Sequence, residues 1–161
     1  YLNATVDGEL ITATCRSKKQ PKIDSLTFDP LYGGYTGFSD DTLYLIAFHA
    51  VDDAADENFY WMKIYRNGEE NSGYYLGDDN LINGAYFYAY FFGAEAKPKD
   101  TVMVEMISMD KTNYNYLIGL SNIINDSGMG VAPANPPTNL EGARLGYFGA
   151  FVTDTMTIIM P

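Results

Sequence analysis

The chain has 161 residues, of which 47% are hydrophobic and 15% aromatic, so it can fold around one hydrophobic core. Its formal net charge of −11 argues against nucleic acid as a partner, because nucleic-acid binding needs a basic face, and against adsorption to anionic lipid. We expect no transmembrane segment, since no apolar run reaches the roughly 18 residues of a spanning helix. The single cysteine, Cys15, excludes an internal disulfide.

The first predicted element is a hairpin over residues 1–15, with Asp7-Gly8 as a two-residue turn. Leu2, Ala4 and Val6 alternate before the turn, and Leu10, Thr12 and Thr14 are expected to lie opposite them on the same face after it. Because an isolated hairpin is only marginally stable, it should pair with another chain or with the rest of a mostly missing amino-terminal domain. We therefore predict a division into residues 1–20, hairpin and linker, and residues 21–161, the main domain.

Short strands follow at regular spacing, and a helix is predicted late in the chain. The strands are predicted over residues 23–28, 42–51, 59–66, 73–76, 85–92, 101–109 and 147–160. Between the last two, apolar residues recur at helical spacing from Tyr116 to Ile124, and Asp110 is a suitable N-cap.

This order of elements indicates an all-β fold, an immunoglobulin-like or fibronectin-III-like β-sandwich with one helix inserted before the last strand. Since no cysteine pair can bridge the sheets, we expect Trp61 on a central strand to anchor the core. The alternative is a lipocalin-like barrel, which also places a helix before its last strand. Short strands and irregular loops favour the sandwich.

One acidic loop is a candidate calcium site, because calcium takes oxygen ligands. Its carboxylates belong to Asp52, Asp53, Asp56 and Glu57. The loop lacks the spacing and the glycine of an EF-hand, so a solvated turn is the favoured interpretation and no cofactor is expected. An enzyme is not expected either: His49 lies mid-strand, Glu105 should face outward from its strand, and no Gly-x-Ser-x-Gly motif occurs.

Two stretches are candidate partner-binding sites. Tyr86, Tyr88 and Tyr90 share one face of a strand, which is either exposed for binding or packed against the helix. The loop from Asn135 to Gly146 is expected to pack on the sandwich as a lid, burying Leu140 and Leu145, with partner recognition second. The candidate contact residues of this second stretch are Asn135, Pro136, Pro137, Asn139, Leu140, Arg144, Tyr147 and Phe148.

The same stretch carries a family resemblance. Asn135-Pro136-Pro137-Thr138-Asn139-Leu140, then Gly142, then Leu145-Gly146-Tyr147-Phe148-Gly149-Ala150, resembles the closing signature of a Bacteroidota outer-membrane lipoprotein family catalogued only as a domain of unknown function. Further stretches similar to the family are residues 7–13, 23–26 and 65–68.

The resemblance implies a missing amino-terminal immunoglobulin-like domain and a non-enzymatic accessory or binding lipoprotein. Its expected partner is a TonB-dependent outer-membrane receptor in nutrient uptake, and its expected place is the outer membrane or cell surface. The lipid anchor would belong to the full-length parent, so this chain itself is expected to be soluble. The alternative function is a cell-surface adhesion or glycan-binding module. The family supplies no catalytic residues.

Overall fold

A computed structural model describes residues 1–31, 42–125, 134–143 and 145–161. The strands are β1 (Leu2–Val6), β2 (Glu9–Ala13), β3 (Ile23–Leu31), β4 (Leu43–Val51), β5 (Phe59–Arg66), β6 (Glu69–Glu70), β7 (Tyr75–Asp78), β8 (Tyr86–Tyr90), β9 (Thr101–Met109) and β10 (Val152–Ile159). Helix α1 (Lys111–Asn125) precedes β10, as predicted. No helix of these described ranges is long and apolar enough to cross a membrane.

The main domain is a sandwich of two antiparallel sheets. One sheet has the order β3-β4-β8, and the other has the order β10-β9-β5, with β6 and β7 both paired to β5. With β6 left out, β3, β4 and β8 correspond to strands A, B and E of a fibronectin-III domain. They face β7, β5, β9 and β10, which correspond to strands C′, C, F and G. The predicted sandwich is confirmed, and the barrel alternative is wrong because the described sheets do not close.

The core lies between the inner faces of the sheets. Phe48 on β4 is fully buried and stacks 5.4 Å from Phe91, with Phe87 edge-on at 5.6 Å. On β9, Val104 and Met106 point inward, so Glu105 faces outward as predicted and accepts a 3.1 Å hydrogen bond from the Tyr65 hydroxyl. Strand alternation therefore separates core from surface along most of β9.

The expectation that Trp61 anchors this core is wrong. Its neighbours along β5, Tyr60 and Met62, point inward, so Trp61 points to the outer face because successive side chains alternate. There it stacks on Tyr74, with ring centroids 6.0 Å apart, and packs against a second apolar cluster that includes Leu117 of the helix. The helix thus covers part of the outer face of the second sheet, while Tyr86 and Tyr88 of the β3-β4-β8 sheet stay exposed.

The hairpin forms its own two-stranded sheet with a different facing from the one predicted. Val6 pairs with Glu9 across the turn, and Leu2 pairs with Ala13. Because directly opposed residues share a face, Ala13 faces the same side as Leu2, and the predicted facing of the return strand through Leu10, Thr12 and Thr14 is wrong. Whether residues 1–20 end another domain stays a prediction.

The last strand begins at Val152, five residues later than predicted. Phe148 donates its N–H to the Asn139 side-chain oxygen at 3.0 Å, and its carbonyl accepts from the Asn139 amide at 2.8 Å. A side chain therefore satisfies the backbone that the prediction assigned to a strand ladder.

Candidate functional site

The tyrosine face, defined as the side chains of Tyr86, Tyr88 and Tyr90, lies on the outer side of β8. Phe87 points inward and packs against the core, so alternation directs the tyrosines away from it. Tyr86 and Tyr88 are 58% and 56% exposed. Of the two open alternatives, exposure is therefore the one observed, because the helix packs on the other sheet.

His49 on β4 supports this face from the neighbouring strand. One ring nitrogen bonds the Thr27 hydroxyl at 2.7 Å, and the other bonds the Tyr86 hydroxyl. The ring stacks against Tyr86 and Tyr88 with centroids 5.9 and 5.8 Å away. His49 thus bonds the Tyr86 hydroxyl and packs beside the rings of Tyr86 and Tyr88, which orients these tyrosines.

The aromatic rings of this face do not share a plane. Tyr86 and Tyr88 are tilted by 34°, Tyr88 and Tyr90 by 88°, and Tyr90 and Phe92 by 48°. The Tyr90 hydroxyl donates to the Asp29 carboxylate at 2.8 Å, and this hydrogen bond with the nearby negative charge raises the pKa of Tyr90. The face is thus uneven, rich in hydroxyl groups and uncharged along β8 itself.

The four acidic residues of the candidate calcium loop contact separate partners. Asp52 is buried and accepts bonds from the Tyr60 hydroxyl at 2.8 Å and the Gly84 N–H at 2.9 Å. The other contacts are an Asp53–Lys19 ion pair, a Glu57–Lys111 ion pair and an Asp56 carbonyl that accepts from the Asn58 amide. Within the described ranges, no three His, Cys, Asp or Glu side chains are arranged to hold a metal. The calcium interpretation therefore gains no support.

Sequence reasoning missed the polar network that organises this loop. Asn58 and Asp79 are both buried, and the Asn58 N–H donates to the Asp79 carboxylate at 2.8 Å. Burial, followed by the hydrogen bond to Asp52 and the charge of Asp52, raises the pKa of the Tyr60 hydroxyl and keeps it a hydrogen-bond donor. The hydrogen bonds of these buried polar groups hold the loop against the sandwich, so we assign them a structural role.

The proline-rich loop lies between the hairpin and the helix. Glu141 and Thr12 exchange backbone hydrogen bonds at 2.8 and 3.0 Å, and the Asn139 amide also donates to the Thr14 carbonyl at 3.2 Å. Pro136 packs against the helix where Gly119 leaves room, since a Cβ there would lie 3.1 Å from it. The loop therefore contacts both the hairpin and the helix and holds them together.

The individual loop candidates are placed as follows. Leu140 is half-buried, but Leu145 is 65% exposed, so the expectation that both leucines are buried is wrong. Asn135 and Pro137 are exposed, whereas Tyr147 and Phe148 are half-buried. Arg144 lies outside the described residues. Contact of these residues with a partner stays a prediction.

Gly142 makes the hairpin contact possible, and replacing it should loosen the hairpin. Its φ is +86°, and a Cβ would lie 2.3 Å from the Leu10 carbonyl oxygen. We expect Gly142→Ala to lower the local opening free energy by about 1–2 kcal/mol, which raises exchange of the Thr12 amide about tenfold or more. Gly77→Ala is the control, because its Cβ would meet open space. Unchanged Thr12 exchange in Gly142→Ala would show that the bridge does not hold the hairpin.

Asp110 caps the helix and connects it to the loop. Its Oδ1 accepts from the Asn113 N–H at 2.8 Å and from the Tyr147 hydroxyl at 3.0 Å. Burial by itself would raise the pKa of Asp110, but the hydrogen bonds from Asn113, Thr112, Tyr147 and Arg16 outweigh burial and lower the pKa from its ordinary value. The carboxylate is therefore the form that the fold prefers.

This lowered pKa predicts an acid-dependent contribution to stability. The stabilisation should be fully present above the ordinary Asp pKa of about 4 and should be lost as pH falls through the lower folded-state pKa. Asp110→Asn keeps a cap but cannot ionise, so its unfolding free energy should fall less between about pH 5 and pH 2 than that of the wild type. Urea titrations across that range measure the difference, and parallel acid profiles would contradict the assignment.

A groove of about 690 Å³ lies between the hairpin end, the linker and the helix start. Lys18, Lys111 and Asp110 line it, together with Glu57. The Lys18 ammonium donates to the Glu57 carbonyl at 2.9 Å, and Lys111 pairs with the Glu57 carboxylate at 2.7 Å. Because Lys18 and Lys111 both already bond Glu57, the groove leaves fewer charged groups available to a ligand than its lining suggests.

The described residues define a class of protein, a fibronectin-III-like sandwich with one covered sheet face and one exposed aromatic sheet face. The chain belongs to the family described as Domain of unknown function (DUF4249), whose profile matches residues 1–157. The match includes the hairpin as well as the sandwich. No curated protein and no solved structure matches the chain.

Proposed function

We propose that this chain is a non-enzymatic binding part of an outer-membrane accessory lipoprotein that works with a TonB-dependent receptor in nutrient uptake. The observation that carries the binding role is the exposed tyrosine face, because tyrosine combines a large apolar ring with a polar hydroxyl and is enriched at protein interfaces. The receptor, the Bacteroidota source and the lipid anchor of the full-length parent are inferred from the closing motif of the family.

The polar groups of the described residues support binding over catalysis. A general base must lie within hydrogen-bond reach of the substrate proton that it abstracts, usually in a pocket where several polar groups converge. Both His49 nitrogens are bonded, Glu105 is bonded to Tyr65, and the Asp52 carboxylate is bonded inside the core. Each of these side chains already has a structural role.

The test is affinity purification of the tagged full-length parent from its native membrane. We expect a TonB-dependent receptor to co-purify with the wild type and to be lost when Tyr86 and Tyr88 are both replaced by Ser. Thr153 and Thr155 are exposed on the outer face of the other sheet, so replacing both by Ser is the matched control. Absence of any such receptor from the wild-type preparation would refute the proposed association.

The second candidate is a cell-surface adhesion or glycan-binding module. The observation that favours it is the row of exposed phenol rings, since aromatic rings combine apolar area with a polar group. Retention of the chain on a glycan array, together with no co-purifying receptor, would place this function first.

A further inference from the structure

The free edge of β8 carries an unused set of backbone hydrogen-bonding groups. Phe91 donates its N–H to the Ile46 carbonyl at 2.9 Å, and the Ala85 carbonyl accepts from the Asp52 N–H at 3.0 Å. Groups that face the partner strand alternate along an antiparallel strand, so the odd-numbered residues of β8 face β4. The N–H and carbonyl groups of the three tyrosines therefore face away from β4. In the described part of the chain, no backbone group bonds them.

Three other edge strands of the sandwich, β3, β10 and β6, carry features that disfavour strand pairing. Strand β3 contains Pro30 and a register irregularity after Ile23, and β10 points Asp154 inward, where its carboxylate accepts the Ile23 N–H at 2.8 Å. Strand β6 is only two residues long and acidic. Proteins protect edge strands in these ways because an open edge is a template for another strand.

Strand β8 has none of these protections. Its sequence is Tyr-Phe-Tyr-Ala-Tyr, without charge or proline, and its pairing with β4 is regular. A strand added beside it would extend the order β3-β4-β8 at the place that strand D occupies in constant-type immunoglobulin domains. An uncharged, regular and unpaired edge at that place is a site for strand addition.

We propose that β8 is the docking edge for an extended, neutral or basic segment of a partner polypeptide, which adds to the sheet as its fourth strand. This rests on the proposed binding function and names the chemistry of its partner. Each of the three tyrosines can exchange two backbone hydrogen bonds with an antiparallel neighbour, and alternate side chains of that neighbour pack on the tyrosine face.

Charge and ring geometry select this occupant over two others. A second copy of the chain would also carry −11 and would be repelled, whereas a neutral or basic segment would not. A sugar that stacks across several rings needs them near one plane, but successive rings are tilted by 34°, 88° and 48°. The evenly spaced backbone groups of the β8 edge therefore suit an added strand better than the tilted rings suit a stacked sugar.

The first measurement uses the chain alone. Residue-resolved hydrogen exchange at a concentration where sedimentation shows a monomer should find fast exchange for the Tyr86, Tyr88 and Tyr90 amides. The Phe87 and Ala89 amides should exchange slowly because they bond β4. Slow exchange of the three tyrosine amides in the monomer would show that the edge is already covered and would overturn the proposal.

The second measurement uses random phage-displayed peptides of about ten residues, the length of a long strand. The best binder should slow exchange of the three tyrosine amides in the wild-type chain. Tyr88→Pro removes the outward N–H and the ring, whereas Tyr88→Ala removes only the ring. We expect Tyr88→Pro to weaken the peptide at least about tenfold more than Tyr88→Ala does, measured by calorimetric titration.

A separate variant of the probe keeps the result interpretable if Tyr88→Pro fails to fold. Two versions of the peptide are compared, one methylated on the nitrogens of the odd-numbered residues and one on those of the even-numbered residues. One version should lose binding and the other should keep it, because only alternate N–H groups face β8. Equal binding of the two methylated peptides would overturn the proposal.

The remaining outcomes decide between occupants. Binding to a neutral glycan array that Tyr88→Ala abolishes, without slowed edge amides, would overturn strand addition in favour of a sugar ligand. A dimer that Tyr88→Pro separates would overturn it in favour of a second copy. Peptide addition without a co-purifying receptor would uphold this inference while refuting the receptor association, so the two proposals fail separately.

Discussion

Replacing Phe48 by Ala should lower the free energy of unfolding by about 3–5 kcal/mol. Its ring is fully buried between the sheets and contacts the rings of Phe87 and Phe91, so truncation removes aromatic packing and leaves a cavity lined by both. Urea denaturation followed by tryptophan fluorescence measures the loss, because Trp61 is the single tryptophan.

Tyr88→Ala is the matched control for Phe48→Ala. Tyr88 lies opposite His49, the next residue along β4, but points to the outer face of the same sheet. Its truncation should change the unfolding free energy by no more than about 0.5 kcal/mol. Losses of equal size would mean that the tyrosine face is covered in solution.

Replacing Asp52 by Ala should cost about 2–3 kcal/mol of unfolding free energy, because it leaves one buried donor and one part-buried donor without an acceptor. These donors are the Tyr60 hydroxyl and the Gly84 N–H, at 2.8 and 2.9 Å. Asp53→Ala should cost much less, since the Asp53–Lys19 pair is exposed to solvent. Thermal unfolding of both variants measures the difference.

The same pair of variants tests the calcium interpretation. Adding calcium or a chelator should leave the unfolding midpoint of the wild type unchanged, because the carboxylates of Asp52, Asp53 and Glu57 already bond other groups of the chain. If calcium raises the wild-type midpoint and each substitution removes that rise, the loop binds calcium and our assignment of Asp52 to structure is incomplete.

The fold was predictable because its signals are local. A period of two from Val102 to Met106 and a helical period from Tyr116 to Ile124 identify strand and helix without knowledge of their neighbours. The role of Trp61 was not local. It depends on which face of β5 turns toward the core between the sheets. Trp61 lies on the other face, and the helix that packs against that face begins about fifty residues later in the chain.

The candidate sites divide in the same way. Alternation placed the tyrosines on one face of β8, but their exposure depended on which sheet the helix covers, and topology alone decides that. The acidic loop misled because neighbours in sequence need not face one another. Asp52 turns into the core toward Tyr60, while Asp53 turns outward toward Lys19. An unpaired edge such as that of β8 can be identified only when the order and register of all strands in the sheet are known.

The bridge between Thr12 and Glu141 has a consequence for folding kinetics. Their side chains also bond one another at 3.0 Å, across a separation of 129 residues. Contacts between such distant residues raise contact order, and the loop they close must lose its entropy before the contact can form. The hairpin can therefore dock only after nearly all of the chain is available. Its attachment should be a late step in folding and an early step in unfolding. Whether residues 1–15 are docked therefore indicates whether the chain has finished folding.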